Sequence, residues 1–171
     1  ELTAPNADYS GATLTLVRNG GADPNDSFGN SGNLGALSEG GNLTLSGIGN
    51  VGTVTTNSNG TLVLTFNGTE AITSRVNEVL RSITFTTSQQ HAEDLVQIDY
   101  TFSDGNTGNQ GSGGALDATG SVKVFITDIN DAPYFAGVDD TVAFTEDGTA
   151  VTLDASNDAD VLDYELDIMD N

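Results

Sequence analysis

Short runs in which apolar and polar residues alternate strictly, each closed by Gly, Asn or Asp, constrain this chain more than any other feature. A period of two sends successive side chains to opposite faces of an extended strand and cannot form the 3.6-residue stripe of a helix. Ala12 to Arg18 (ATLTLVR) alternates cleanly, and further strands are predicted at Asn42 to Leu45, Gly52 to Thr55, Thr61 to Phe66, Ile83 to Thr87, Leu95 to Phe102 and Gly120 to Thr127. The last two gather Val96, Ile98, Tyr100 and Phe102, and Val122, Val124 and Ile126, on single faces. Asn59-Gly60 and Asn67-Gly68 bracket Thr61 to Phe66 with turn chemistry, which delimits that strand at both ends. Many short strands with such punctuation predict an all-β sandwich.

One segment departs from the pattern. Ser74 to Ile83 places Val76, Val79, Leu80 and Ile83 at spacings of three and four, which predicts one short amphipathic helix with its stripe in the core. At 171 residues and 36% hydrophobic, the chain can bury a substantial core. It has no Cys, so neither disulfide staples nor thiolate metal sites are available.

Charge narrows the partners. The 25 Asp and Glu residues face only Arg18, Arg75, Arg81 and Lys123, a formal net charge of −21. Binding of nucleic acid or an anionic membrane needs clustered Lys and Arg, so both are excluded as partners. Carboxylates in such excess repel one another unless salt screens them or cations neutralise them, and hard divalent cations, above all calcium, suit oxygen ligands. No apolar run approaches the roughly 20 residues that span a bilayer.

Organisation changes near Asp131 to Pro133. Residues 1–131 read as the sandwich body. Residues 132–171 contain two strand-like stretches, Thr141 to Thr145 and Ala150 to Asp154, and end in an acidic run. A segment of that length cannot bury a core alone. Glu165-Leu166-Asp167 with Asp170-Asn171 echoes Glu1-Leu2-Thr3 with Asp8-Tyr9, as in a tandem array cut away from its natural boundary. The tail strands then belong to the next module, or complete the body in the same chain or by swapping into a neighbour.

Asp128-Ile129-Asn130-Asp131-Ala132-Pro133-Tyr134-Phe135 sets three oxygen-bearing side chains within four residues, ahead of a proline that stops the strand. This stretch resembles the inter-domain linker of cadherins, in the NDAP form of cadherin-like repeats of bacterial adhesins. TLTLVRNGGADPNDSFG, VGTVTTNSNGTLVLTFN, VNEVLRSITF and FSDGNTGNQGSGGALDATGS are similar to a repeat of very large type I secreted (RTX) adhesins of Gram-negative bacteria, over most of the chain. The resemblance implies a cadherin-like, Ig-like Greek-key β-sandwich that binds calcium through Asp128, Asn130 and Asp131. Asp104 in FSDG, Glu146 in FTEDG, and Asp158 and Asp160 of the DAD pair are the further ligands it implies. Asp163-Tyr164-Glu165 follows too soon for the cadherin order, which leaves Glu165 outside the set. The implied function is a calcium-stabilised extender of a secreted cell-surface adhesin, working in adhesion or biofilm formation beside neighbouring modules.

The same residues admit plainer readings. Asp and Asn at loops make Asx turns routinely, and Asp23 and Asp26 in GGADPND are weaker metal candidates than the linker. His91, the single histidine, lies in SQQHAED without a second His or a Cys to form a zinc site or a dyad. Gly105 to Gly114 reads as a connector. The alternative function is a glycan- or peptide-binding module of the same kind of adhesin, for which Tyr9, Tyr134 and Tyr164 are the available stacking platforms in a chain without Trp. Catalysis is not expected, since nothing singles out one carboxylate pair among so many.

Overall fold

The structure is a computed structural model and describes residues 9–88, 95–107, 112–127, 129–130, 132–163 and 166. It divides into two compact units, 1–126 and 127–171.

The first unit is an all-β sandwich with one short helix. Its strands are β1 (Thr13–Arg18), β2 (Asp26–Asn30), β3 (Asn42–Leu45), β4 (Gly49–Ser58), β5 (Thr61–Phe66), β6 (Ile83–Thr87), β7 (Leu95–Ser103) and β8 (Asp117–Phe125). Six of them form an antiparallel sheet in the order β3-β4-β5-β1-β7-β8, and β2 pairs with β6 in a second, two-stranded sheet. Alternation assigns the faces: Leu14 and Leu16, Leu62, Leu64 and Phe66, and Val96 and Ile98 are buried, while the residues between them are less so. Each such side chain removed from water contributes about 1.5–3 kcal/mol. Phe28 of β2, Leu34, Leu37 and the helix residues Val76 and Val79 join the same core cluster.

Local chemistry sets the turns. Asn59 (φ 49°) and Gly60 (φ 72°) form the two-residue loop between Ser58 and Thr61, with both central residues left-handed as a type I′ hairpin requires. A Cβ on Gly60 would overlap the Asp23 backbone, so glycine is demanded here twice over. The helix α1 (Thr73–Ser82) starts without a side-chain cap, and Ile72 O accepts from Val76 N at 3.0 Å. Arg81 occupies its last turn, where a cation suits the helix dipole. Ile83 is already extended, so the helix ends by passing straight into β6.

Several elements differ from expectation. Asp26–Asn30, with no clean apolar alternation, is a strand because β6 pairs it residue for residue, Phe28 opposite Phe85. β4 runs on to Ser58, with a register shift between Val54 and Thr56 that absorbs its extra length. β8 is displaced toward Asp117 by its pairing with β7.

The second unit is held by a short antiparallel ladder between β9 (Tyr134–Ala136) and β10 (Asp160–Leu162). The strand-like stretches at Thr141 to Thr145 and Ala150 to Asp154 are not strands. Alternation there meets no ladder partner, and the intervening residues turn at Asp147 (φ 60°), closed by Gly148 N donating to Thr145 O at 2.8 Å.

Candidate metal site

The β9–β10 ladder builds the site. Ala136 pairs with Asp160, so the chain leaving β9 runs beside the chain entering β10. Gly137 (φ 68°) lets the two approach, because a Cβ at that position would collide with the Asp158 carbonyl. Extending the antiparallel count brings Asp140 beside Ser156, whose N–H donates to Asp140 Oδ2 at 2.9 Å. Asp154 caps its own loop: Oδ1 accepts from Asp158 N and Oδ2 from Ala159 N, both at 3.2 Å.

Asp140, Asp154 and Asp158 thereby offer one carboxylate oxygen each, all within 4.8 Å of one another. Ser156 Oγ lies 3.0 Å from Asp140 Oδ2, 3.4 Å from Asp154 Oδ1 and 2.5 Å from Asp158 Oδ1. A hydroxyl carries one hydrogen and donates it to one acceptor, so the remaining contacts set lone pairs against lone pairs. The Ser156 N–H, and after it the Ser156 hydroxyl, hold the Asp140 carboxyl below its ordinary range, which keeps it anionic. Residues 127–171 contain no Lys or Arg, so no cationic side chain of this unit neutralises the group. Opposite ligands of a calcium ion at about 2.3–2.6 Å lie about 5 Å apart, and the three oxygens fit inside that span.

The expected ligands are distributed otherwise. Asp158 is in the cluster. Asp128 and Asp131 lie outside the described residues, as do His91, Tyr164 and Glu165, while Asn130 is exposed. Asp104 Oδ1 accepts from the N–H groups of Asn106 (3.0 Å) and Leu116 (2.9 Å), so it ties its loop to the start of β8. Those two bonds, Asn106 first, lower its pKa. Glu146 sits in the 145–148 turn and Asp160 in β10, both exposed and apart from the three carboxylates. Asp26 is no metal ligand. It is 3% exposed, and both its oxygens are taken by Arg18, Nη2 to Oδ1 at 2.6 Å and Nε to Oδ2 at 2.8 Å. Asp23 lies 3.9 Å from the same guanidinium, and its Oδ1 accepts the Asn25 N–H.

Asp140 and Asp154 escaped the sequence reading. Asp154-Ala-Ser156-Asn-Asp158 does carry a legible signal, oxygen-bearing side chains at alternate positions of one loop, as in loops that wrap calcium. Asp140 carries none, since only the ladder register brings it there. Among the described residues, no helix is long and apolar enough to cross a membrane. Comparison with protein-family models, with curated proteins and with solved structures finds no match.

Proposed function

We propose that this chain is a calcium-stabilised extender module of a secreted bacterial surface adhesin, with a mechanical role and no catalytic step of its own. The observation that carries the reading is the convergence of Asp140, Asp154 and Asp158 around one serine hydroxyl in a unit devoid of cationic side chains. An ion there replaces mutual repulsion with shared ligation and clamps the loop before β10 to the chain after β9. The sequence offers calcium a second set of oxygens in Asp128, Asn130 and Asp131. The acidic, Cys-free composition suits a chain that folds where calcium is plentiful, because ion binding is then coupled to folding. Its neighbours on this reading are further modules of the adhesin at the cell surface, where such arrays serve adhesion and biofilm formation.

The test is thermal unfolding of the whole chain in millimolar calcium, after excess EDTA, and with magnesium in place of calcium. An ion at a hundred times its Kd adds about 2.7 kcal/mol to the state that binds it. The expected result is a calcium-specific rise in Tm that shrinks in Asp154→Asn and Asp158→Asn. Identical melting in calcium and in EDTA would overturn the proposal.

A further inference from the structure

The outer edge of β8 carries a self-complementary pattern. β8 ends the six-stranded sheet, and among the described residues no strand pairs with its far side. Asp104 N donates to Leu116 O at 3.0 Å. The unbroken β7–β8 register then alternates from that bond, turning the N–H and C=O groups of Asp117, Thr119, Ser121 and Lys123 toward the free edge. Asp117 and Lys123 lie three residues to either side of Gly120, and neither makes a hydrogen bond or ion pair among the described residues.

We infer that two copies of this chain associate edge to edge through β8, antiparallel and centred on Gly120. In that register Asp117 of each copy stands opposite Lys123 of the other, so the two-fold axis makes two cross-strand ion pairs on one face. On the other face Leu116, 75% exposed, meets Val124, and Val122, 49% exposed, meets Ala118. Gly120 faces its own copy at the closely spaced, non-hydrogen-bonded position, where a Cβ would have open space around it and none is present to crowd the axis. Val122 and Val124 also line a cavity of about 280 Å³ between the two sheets, so apolar surface continues inward from the shared edge. Displacing the register by two residues, the smallest shift that keeps edge-facing groups opposite one another, sets Asp117 and Lys123 opposite uncharged residues, which gives the strand its preference.

The net charge of −21 opposes any self-association, so the test belongs near 0.15 M salt, where the screening length is about 8 Å. Sedimentation velocity of the full chain, from micromolar to millimolar concentration and with and without calcium, is expected to show a monomer–dimer equilibrium in both conditions. Independence from calcium separates this proposal from the preceding one. Lys123→Asp and Asp117→Lys each set like charges across the axis twice and weaken the dimer about tenfold or more. Mixed in equal amounts, the two variants again hold opposite charges at both positions, and the dimer returns at wild-type strength. Both sites are exposed, so circular dichroism melts should show the variants folded. A monomeric wild type overturns the inference, as does undiminished dimer in either variant or a mixture that stays monomeric.

Discussion

Replacing Arg18 by Met is expected to destabilise the first unit strongly. Arg18 ends β1 and grips Asp26 at both carboxylate oxygens, at 2.6 and 2.8 Å, and Asp26 is 3% exposed at the start of β2. Methionine keeps most of the side-chain length and loses the guanidinium, so a buried carboxylate is left without its partner. Breaking a buried pair on one side costs about 3–5 kcal/mol. The unit spans Glu1–Ile126, for which an unfolding entropy of about 2.1 cal/mol/K per residue translates that loss into a fall in Tm of about 10–20 °C. Chemical denaturation followed by circular dichroism provides the free energy, and calorimetry the Tm. The double variant Arg18→Met/Asp26→Leu removes both desolvated partners and should recover more than half of the loss, because a matched apolar pair leaves nothing unsatisfied. An Arg18→Met protein melting within about 2 °C of the wild type, against the 2–8 °C that each kcal/mol is worth, would refute the argument.

Acid should destabilise the chain through carboxylates that the fold holds anionic. Asp104 is stabilised by the N–H groups of Asn106 and Leu116, Asp99 by the side-chain amides of Asn19 and Gln97, and Glu39 by the Asn57 N–H and Ser58 hydroxyl. Their folded pKa values lie below the unfolded ones, so their contribution is complete above about pH 4–5 and is lost as pH falls through the folded values. The urea midpoint should therefore drop between pH 5 and pH 3, and Asp104→Asn should flatten part of that dependence. A second comparison isolates crowding from backbone strain. Gly60→Ala meets the Asp23 backbone at φ 72° and should cost at least about 2 kcal/mol, whereas Gly20→Ala, at φ 90° with open space around it, should cost about 1 kcal/mol. Equal denaturation midpoints for the two variants would show that the Gly60–Asp23 contact contributes nothing.

The alternating runs, the Asn59-Gly60 turn and the Val76/Val79 stripe are legible one-dimensionally because each depends on neighbours within a few residues. Strand periodicity, left-handed φ and helix amphipathicity are local properties that survive whatever the chain packs against. From them the all-β sandwich with one short helix follows. Position in a ladder does not follow in the same way. Val142 and Phe144 alternate as cleanly as Leu14 and Leu16, yet only the latter pair finds flanking strands in β5 and β7.

The site shows the same division. Asp154 and Asp158 share a loop, and their spacing with Ser156 could have been read from the sequence, while Asp140 joins them across the extended β9–β10 register. Asp23 and Asp26 occupy an equally acidic, turn-rich stretch, but β1 delivers Arg18 to them and their charge is answered from within. By itself the sequence determined the strands, the tight turns, the helix and a surplus of oxygen ligands. Only the tertiary structure decided which carboxylates meet a guanidinium and which meet one another, because Coulomb energy and metal ligation depend on distances of a few ångströms between residues that the register, not the order along the chain, brings together.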